Sequence, residues 1–430
     1  MNATQRAETW FRDALAACNV ERTIERRVRW EQSALWVDEQ RFALGSGRTV
    51  LVALGKAAVP MAHALMRVAP GITEGVVASP WLPKDPYPEL TYFEGGHPEP
   101  NAASLASAKA AIALLSTLKE ADNVIFLISG GGSALFELPK DEAISLEDLQ
   151  ETNRLLVRSG ATIAEINRVR KRISAVKGGG LARTAAKATQ ISLLVSDVPD
   201  AMLSTLSSGP TLMEDVSTLR KDALEICLRH KLTDRLPQSV IIALERQDAI
   251  PERPVERTSA VLLLSNHELL QEIEDRAARD GYTVTTDNSC DDWHFADAGE
   301  YLLQRFRSLQ KQNRRTCLLS GGEVTVAVPV NGGIGGRNQH FALWGAQAIQ
   351  GEEITLLSAA SDGVDGNSDA AGAVVDGSSW QAWEAAGLTP AVSLERFDSN
   401  SLLAGTGNTI QTGLTGNNLR DVRIFLSSES

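Results

Sequence analysis

The sequence predicts an α/β protein of two domains: an N-terminal doubly wound, Rossmann-like domain on a parallel sheet (residues 1–250) and a C-terminal α/β domain with a mixed sheet (251–430). Three observations predict it. Short runs such as VIFLI (124–128) and VLLL (261–264) are apolar at every position, as strands buried on both faces are. Segments with helical patterning separate them, which is the alternation of a parallel sheet covered by helices. Finally, QDAIPERPVERT at 247–258 carries two prolines, many charges and no periodicity, and reads as a domain boundary.

Taken in order, residues 4–18 form an amphipathic helix, and RTVLVAL (48–54) is a strand that ends at Gly55-Lys56 and leads into a helix over 56–68. A strand at 75–78 is followed by the proline-punctuated loop SPWLPKDPYPE. Next come a helix over 101–118, a strand over 123–128, a glycine turn at 129–133 and a helix over 145–159. A strand at 190–195 and a helix at 217–230 close the first series. The second series is read as strands at 260–264, 282–285, 316–319, 324–328, 354–359 and 422–425. SGGEVTVAVPV has a strand on each side of Gly321-Gly322, so this sheet is expected to be mixed rather than wholly parallel.

Composition bounds the function. The 430 residues contain 42 Lys plus Arg against 54 Asp plus Glu, a net charge of −12, which argues against a nucleic-acid or membrane-surface partner. Hydrophobic residues at 43% and charged residues at 22% are globular values. No apolar run approaches the roughly 18 residues of a membrane span, and Arg12 and Asp13 interrupt any secretory signal. Cys18, Cys227, Cys290 and Cys317 form no metal or disulfide spacing, so reduced thiols and a cytoplasmic location are expected.

In doubly wound folds ligands bind beyond the carboxyl ends of the strands, so the turns there carry the chemistry. Ser129-Gly130-Gly131-Gly132-Ser133 follows a buried strand, and its three glycines suit either a phosphate cradle or a tight strand exit. Lys56 sits at a strand end, where an ammonium clamps an anion unless it merely snorkels. The run NRVRKR (167–172) places Arg168 and Arg172 on one helix face, and Lys177 precedes Gly178-Gly179-Gly180; this reads as an anion site or as a solvated charge run. Asp197, after the strand ISLLV, has the placement of a Mg²⁺ ligand, or of an Asx turn before proline. Glu323 belongs to the second strand-end glycine turn, and Arg337 opens a helix after the densest glycine cluster, as an arginine delivered to an anion would. SDGVDGNSD, which includes Asp362, resembles a calcium loop in composition but lacks the closing glutamate, and reads as an active-site loop. His97 lies in a loop where it can touch substrate, and the remaining histidines have no metal spacing. A Walker A loop fits nowhere. The nicotinamide fingerprint fails because Leu135 stands where its third glycine should be.

GKAAVPMAHA, GGHPEPNAAS, LISGGGSALFELP, INRVRKRISAVKGGGLA, SDVPD, SSGPT, LSGGE, GGRNQHFAL, SDGVDGNSDAAGAVVDG and TGLTGNN stand in one order along the chain. In this the sequence closely resembles the glycerate 2-kinase family, two-domain proteins with a leucine-rich C-terminal module, here about residues 315–430, that are often mislabelled hydroxypyruvate reductase. The resemblance implies an ATP- and Mg²⁺-dependent kinase that phosphorylates D-glycerate at the 2-hydroxyl, with two α/β domains enclosing the site. It implies Lys56 and Arg337 as the essential residues, and replacing either by Ala is expected to abolish turnover and leave melting unchanged. Ser129 to Ser133 with Lys177 and Gly178 would bind nucleotide phosphates, Asp197 would hold the metal, and His97, Arg168, Asp362 and Glu323 would meet the acceptor. Small-molecule substrates are the only partners expected, in a monomer or homodimer. The chain departs from the family pattern at Asp200, His340, Arg172 and Leu414, positions expected to border the site. This leaves another small hydroxy acid as a possible acceptor, and hydroxypyruvate reduction as the competing activity.

Overall fold

A computed structural model describes residues 1–31, 33–213, 218–246 and 255–427. Of the expected boundary at 247–258, residues 247–254 lie outside that set. The chain divides into two compact units, Val20–Leu263 and Met1–Asn19 with Leu264–Ser430. Among the described residues no helix is long and apolar enough to cross a membrane.

The Val20–Leu263 unit opens with helix Val20–Arg27, followed by a small antiparallel sheet of β1 (Val28–Glu31), β2 (Ala34–Val37) and β3 (Gln40–Ala43). Its main sheet contains β4 (Thr49–Leu54), β5 (Ile72–Ser79), β6 (Leu90–Glu94), β7 (Asn123–Ser129), β8 (Thr189–Val195) and β9 (Thr258–Leu264), in the order β6-β5-β4-β7-β8-β9. Neighbours from β6 to β8 run parallel. Val50, Val52 and Leu54 share one apolar cluster with Ala108, Ala111 and Leu115 of helix Ala102–Ser116. Leu51 and Ala53 point to the opposite face and are equally buried, which explains why the run is apolar at every position. Helices Leu146–Arg158, Ile163–Ile173, Leu219–Arg229 and Gln238–Glu245 pack on one another around Leu156, Val169, Ala223 and Leu244. Capping boxes at Ser145 and Thr162 start the first two.

The other unit holds a sheet of β10 (Thr283–Thr286), β11 (Thr316–Gly321), β12 (Ile354–Ala360), β13 (Gly372–Asp376), β14 (Thr409–Ile410) and β15 (Asp421–Ser427), ordered β10-β11-β15-β12-β13-β14. β10 and β11 are parallel, and every other pairing is antiparallel, so the sheet is mixed as expected.

Three placements differ from the sequence reading. Helix Ala3–Ala17 belongs with residues 264–430: it packs on helix Asn266–Arg279 and on β12, and Trp10 donates to Asp280 at 3.0 Å. The run at 260–264 is the edge strand of the first sheet and does not begin the second. Residues 324–328 form no strand beyond a bridge from Thr325 to His294, because β10 and β15 already occupy both sides of β11. The strands β1, β2, β3, β6, β13 and β14 were not read from the sequence; they are short, and β1, β3 and β6 carry exposed residues.

Candidate active site

The order of the first sheet reverses between β4 and β7, the place where doubly wound folds bind ligands beyond the carboxyl ends of their strands. Gly55-Lys56 leaves β4 and the glycine turn leaves β7. The two are laced together: Lys56 N donates to Gly130 O at 2.8 Å, and Ala57 N to Ser129 Oγ at 3.0 Å. Gly55 at φ +115° lies so close that a Cβ there would stand 2.3 Å from Ser129 Oγ. Gly130 is needed for a different reason. A Cβ on it would fall 1.8 Å from Asp197 Oδ2, so the Asp197 carboxylate rests directly on the turn. Gly131, at φ +82°, faces Lys56 Cγ and the His97 ring at about the same spacing, 3.0 and 3.3 Å from its own would-be Cβ. The structure therefore brings Lys56, His97, the glycine turn and Asp197 into one cluster. Partial desolvation of the largely exposed His97, followed by the Lys56 charge, lowers the pKa of its imidazole.

A second layer supports the turn. Ser207 Oγ donates to Ser129 O at 2.6 Å and accepts from Gly132 N at 3.1 Å, while Ser208 Oγ meets Ser133 Oγ at 2.7 Å. Ser207 and Ser208 adopt φ values of 48° and 62°, left-handed conformations that cost non-glycine residues energy and are retained here by these bonds. Asn167 accepts from Ser208 Oγ at 3.1 Å, and Lys171 Nζ donates to Ser204 O at 3.2 Å.

This layer corrects three expectations. Lys177 is buried and its ammonium pairs with Glu137 and donates to Ser133 O at 2.9 Å, so it acts as an internal strut under the turn and is not presented to a phosphate. Burial lowers its pKa, with Glu137 opposing. Gly178 N donates to Ser208 O at 2.9 Å, which spends the backbone donor meant for an anion. Arg168 is turned to Asp222 and Thr218, whereas Asn167, Arg170 and Lys171 are the members of the basic run that reach the glycine-turn side. Sequence spacing identified the run, but not which of its members point inward.

In the other unit Arg337 is the first residue of helix Arg337–Ala348. Its Nε donates to Asp421 Oδ2 at 2.5 Å and its Nη2 to Asp421 Oδ1 at 3.1 Å, and Glu323 Oε1 lies 3.1 Å from Nη2. These carboxylates raise the Arg337 pKa against the effect of burial, so the guanidinium is a permanent cation. Glu323 is thus a partner of Arg337, not a group directed at an acceptor. Asp421 starts β15, which pairs with β11 and β12, so it lies at the sheet end where Gly322 and Ser361 exit. Nothing in the local sequence marks it. Arg420 forks onto Asp291 at 2.6 and 2.7 Å, and Arg423, fully buried, donates to Gly322 O at 2.8 Å over the Phe341 ring.

The SDGVDGNSD loop contributes Asp365 more deeply than Asp362. Asp365 accepts from Asn338 N at 3.0 Å and Gln339 N at 2.8 Å, and so closes the first turn of the arginine's helix. Burial pushes its pKa up to about 6 against those bonds. Asp362 accepts from Val364 N at 3.1 Å in a local turn. Among the departing positions, Arg172 is buried and donates to the carbonyls of Leu244 and Arg246, closing a helix end away from the glycine turn. His340 is stacked on Phe397 at 3.6 Å, Leu414 is exposed, and the Asp200 side chain lies outside the described set.

Comparison with known proteins identifies relatives in both sequence and fold. A family model described as a domain of unknown function, DUF4147, matches residues 6–245, and the MOFRL family matches 316–421. Glycerate 2-kinase of Pyrococcus horikoshii is 34% identical over 423 residues, 96% of this chain and 95% of that protein. D-glycerate 2-kinase of Thermotoga maritima is 36% identical over 392 residues, covering 89% and 91%. A putative hydroxypyruvate reductase of Agrobacterium vitis is 34% identical over 389 residues, covering 88% and 87%. A crystal structure of glycerate kinase from Thermotoga maritima matches with a TM-score of 0.86 at 32% identity, covering 99% of each chain. On this shared sequence and shared fold, the chain belongs to the glycerate 2-kinase family.

Proposed function

We propose that the protein transfers the γ-phosphoryl group of ATP to the 2-hydroxyl of D-glycerate, giving ADP and 2-phosphoglycerate. The observation that carries this reading is the convergence of Lys56 and Asp197 on the glycine turn at the point where the strand order reverses. Transfer of a phosphoryl group asks for positioning and charge neutralisation more than for covalent chemistry. Lys56 supplies a cation beside flexible backbone. Asp197 supplies the single carboxylate that Mg²⁺ needs when phosphate oxygens and water complete its shell. Among the described residues no three His, Cys, Asp or Glu side chains cluster as a metal cage, which fits a metal that arrives with the nucleotide. Bound there, Mg²⁺ would neutralise charge on the phosphate oxygens. His97, neutral, can accept a hydrogen bond from an acceptor hydroxyl. Arg337, held by Asp421, keeps its Nη1 edge for an acceptor carboxylate or a phosphoryl oxygen.

ADP release from Mg-ATP with a panel of hydroxy acids tests the reaction, and phosphorus NMR of the product distinguishes the 2- from the 3-position. D-glycerate is expected to be the best acceptor and the 2-phosphate its product; a 3-phosphate overturns the regiochemistry. The name of the Agrobacterium vitis relative favours a second reading, reduction of hydroxypyruvate. NADH oxidation by the purified protein would establish it, and the missing dinucleotide fingerprint opposes it.

A further inference from the structure

Beside the glycine turn the Val20–Leu263 unit contains a cavity of about 400 Å³. Gly131, Ser133 and His97 line one side of it, and Arg154 and Arg158 of helix Leu146–Arg158 line another, together with Arg170. The lining therefore carries three guanidinium groups and one carboxylate, Glu99. Arg154 is 3.8 Å from Glu99 and 3.4 Å from Glu151, whereas Arg158 pairs with no described residue. Arg170 is fixed by one bond, from Nε to Asn153 Oδ1 at 2.7 Å, and its two Nη groups have no partner among the described residues.

The charge beneath this wall is also unbalanced. Glu137 lies close enough to act on Arg170, but its oxygens already accept from Lys177 and, at 2.6 Å, from Ser174 Oγ. Two cations thus share one carboxylate. Burial accordingly lowers the Arg170 pKa, with Glu137 opposing. A cation kept partly dry without a full counter-charge is costly, and an entering anion relieves that cost. A guanidinium fork matches phosphate oxygens in particular.

We propose that this cavity is the seat of the nucleotide, with Arg158 and Arg170 on the phosphate chain; this rests on the kinase reading above. Size and charge favour the nucleotide over the acceptor acid. A volume of about 400 Å³ falls in the range that encloses ligands much larger than a three-carbon acid. One carboxylate occupies one fork, whereas a polyphosphate uses several. Val157, exposed by 63%, adds apolar surface for the nucleoside.

The test is calorimetric titration of the full-length protein with MgADP, with adenosine and with D-glycerate, in wild type, Arg158→Ala and Arg170→Gln. Arg158 is exposed and unpaired, so its variant folds even if Arg170→Gln does not. The expected result is a Kd for MgADP raised by about tenfold in Arg170→Gln and severalfold in Arg158→Ala, with adenosine and D-glycerate affinities unchanged. Wild type that binds MgADP alongside variants that bind it equally well overturns the cavity assignment and leaves the kinase reading intact. A weakened D-glycerate affinity with unaltered MgADP assigns the cavity to the acid and also overturns the proposal. Wild type that binds no MgADP overturns both readings.

Discussion

Arg337 donates through Nε and Nη2 to Asp421, whose side chain is 1% exposed, and the pair meets again in its effect on stability. From sequence alone, replacing either Lys56 or Arg337 by Ala was expected to leave melting untouched. Lys56→Ala is expected to abolish ADP release with an unchanged thermal transition. For Arg337 the melting expectation changes, because its loss strands the buried Asp421 carboxylate. Arg337→Ala should abolish turnover and also destabilise the protein by about 2–3 kcal/mol, less than a fully buried pair would, since Arg337 is one-third exposed. Asp421→Asn keeps the shape but releases the fork, and should lower kcat by about tenfold or more while the KM for MgATP changes little. Equal kcat in Asp421→Asn and wild type would remove Asp421 from any positioning role. His340 gives a pH prediction. Burial between Phe295 and Phe397 lowers its pKa from 6.5 to about 4. The folded state therefore holds it neutral, and the stability this represents is present above pH 6.5 and is lost as pH falls toward 4. The loss is about 3 kcal/mol. Denaturant unfolding at pH 7 and pH 4 should show that loss in wild type and a smaller one in His340→Phe.

At the scale of elements, the glycine turn after β7 works because adjacent strands of a parallel sheet deliver Lys56 and Ser129 side by side, and a loop after β8 lays Asp197 across Gly130. Gly130→Ala should push Asp197 off the turn. We expect a loss of turnover of about 100-fold or more and destabilisation of about 1–3 kcal/mol, read by ADP release and by denaturant unfolding. Normal activity in Gly130→Ala would show that the carboxylate need not sit there. Much of this element was legible beforehand: an apolar run followed by three glycines is a local signal, and so was Lys56 at the end of another such run. The basic run 167–172 was legible only as a run. A helix distributes six consecutive residues around its whole circumference, so Arg168 turns to Asp222 while Arg170 turns to Asn153. Choosing between them requires knowing which side the sheet lies on.

For the whole molecule, the first helix shows how contact overrides chain order. Ala7, Phe11 and Ala14 are fully buried in the unit formed by residues 264–430, although more than 240 residues separate them in sequence. Phe11→Ala should cost that unit about 3–5 kcal/mol, measured by denaturant unfolding followed through a core probe. Its amphipathic pattern was readable, but its partner was not. The buried strands β4, β7, β8 and β12, the glycine turn, Lys56 and the presence of two α/β units follow from runs and spacings of a few residues, and the sequence by itself determined them. The tertiary structure alone decided that Asp421 holds Arg337 across 84 positions, that Lys177 faces inward to Glu137, and that Arg170 rather than Arg168 lines the cavity beside the glycine turn. The physical reason is the same in each case. A charged side chain's role is set by the counter-charge it meets, and that counter-charge comes from a part of the chain whose position only packing determines.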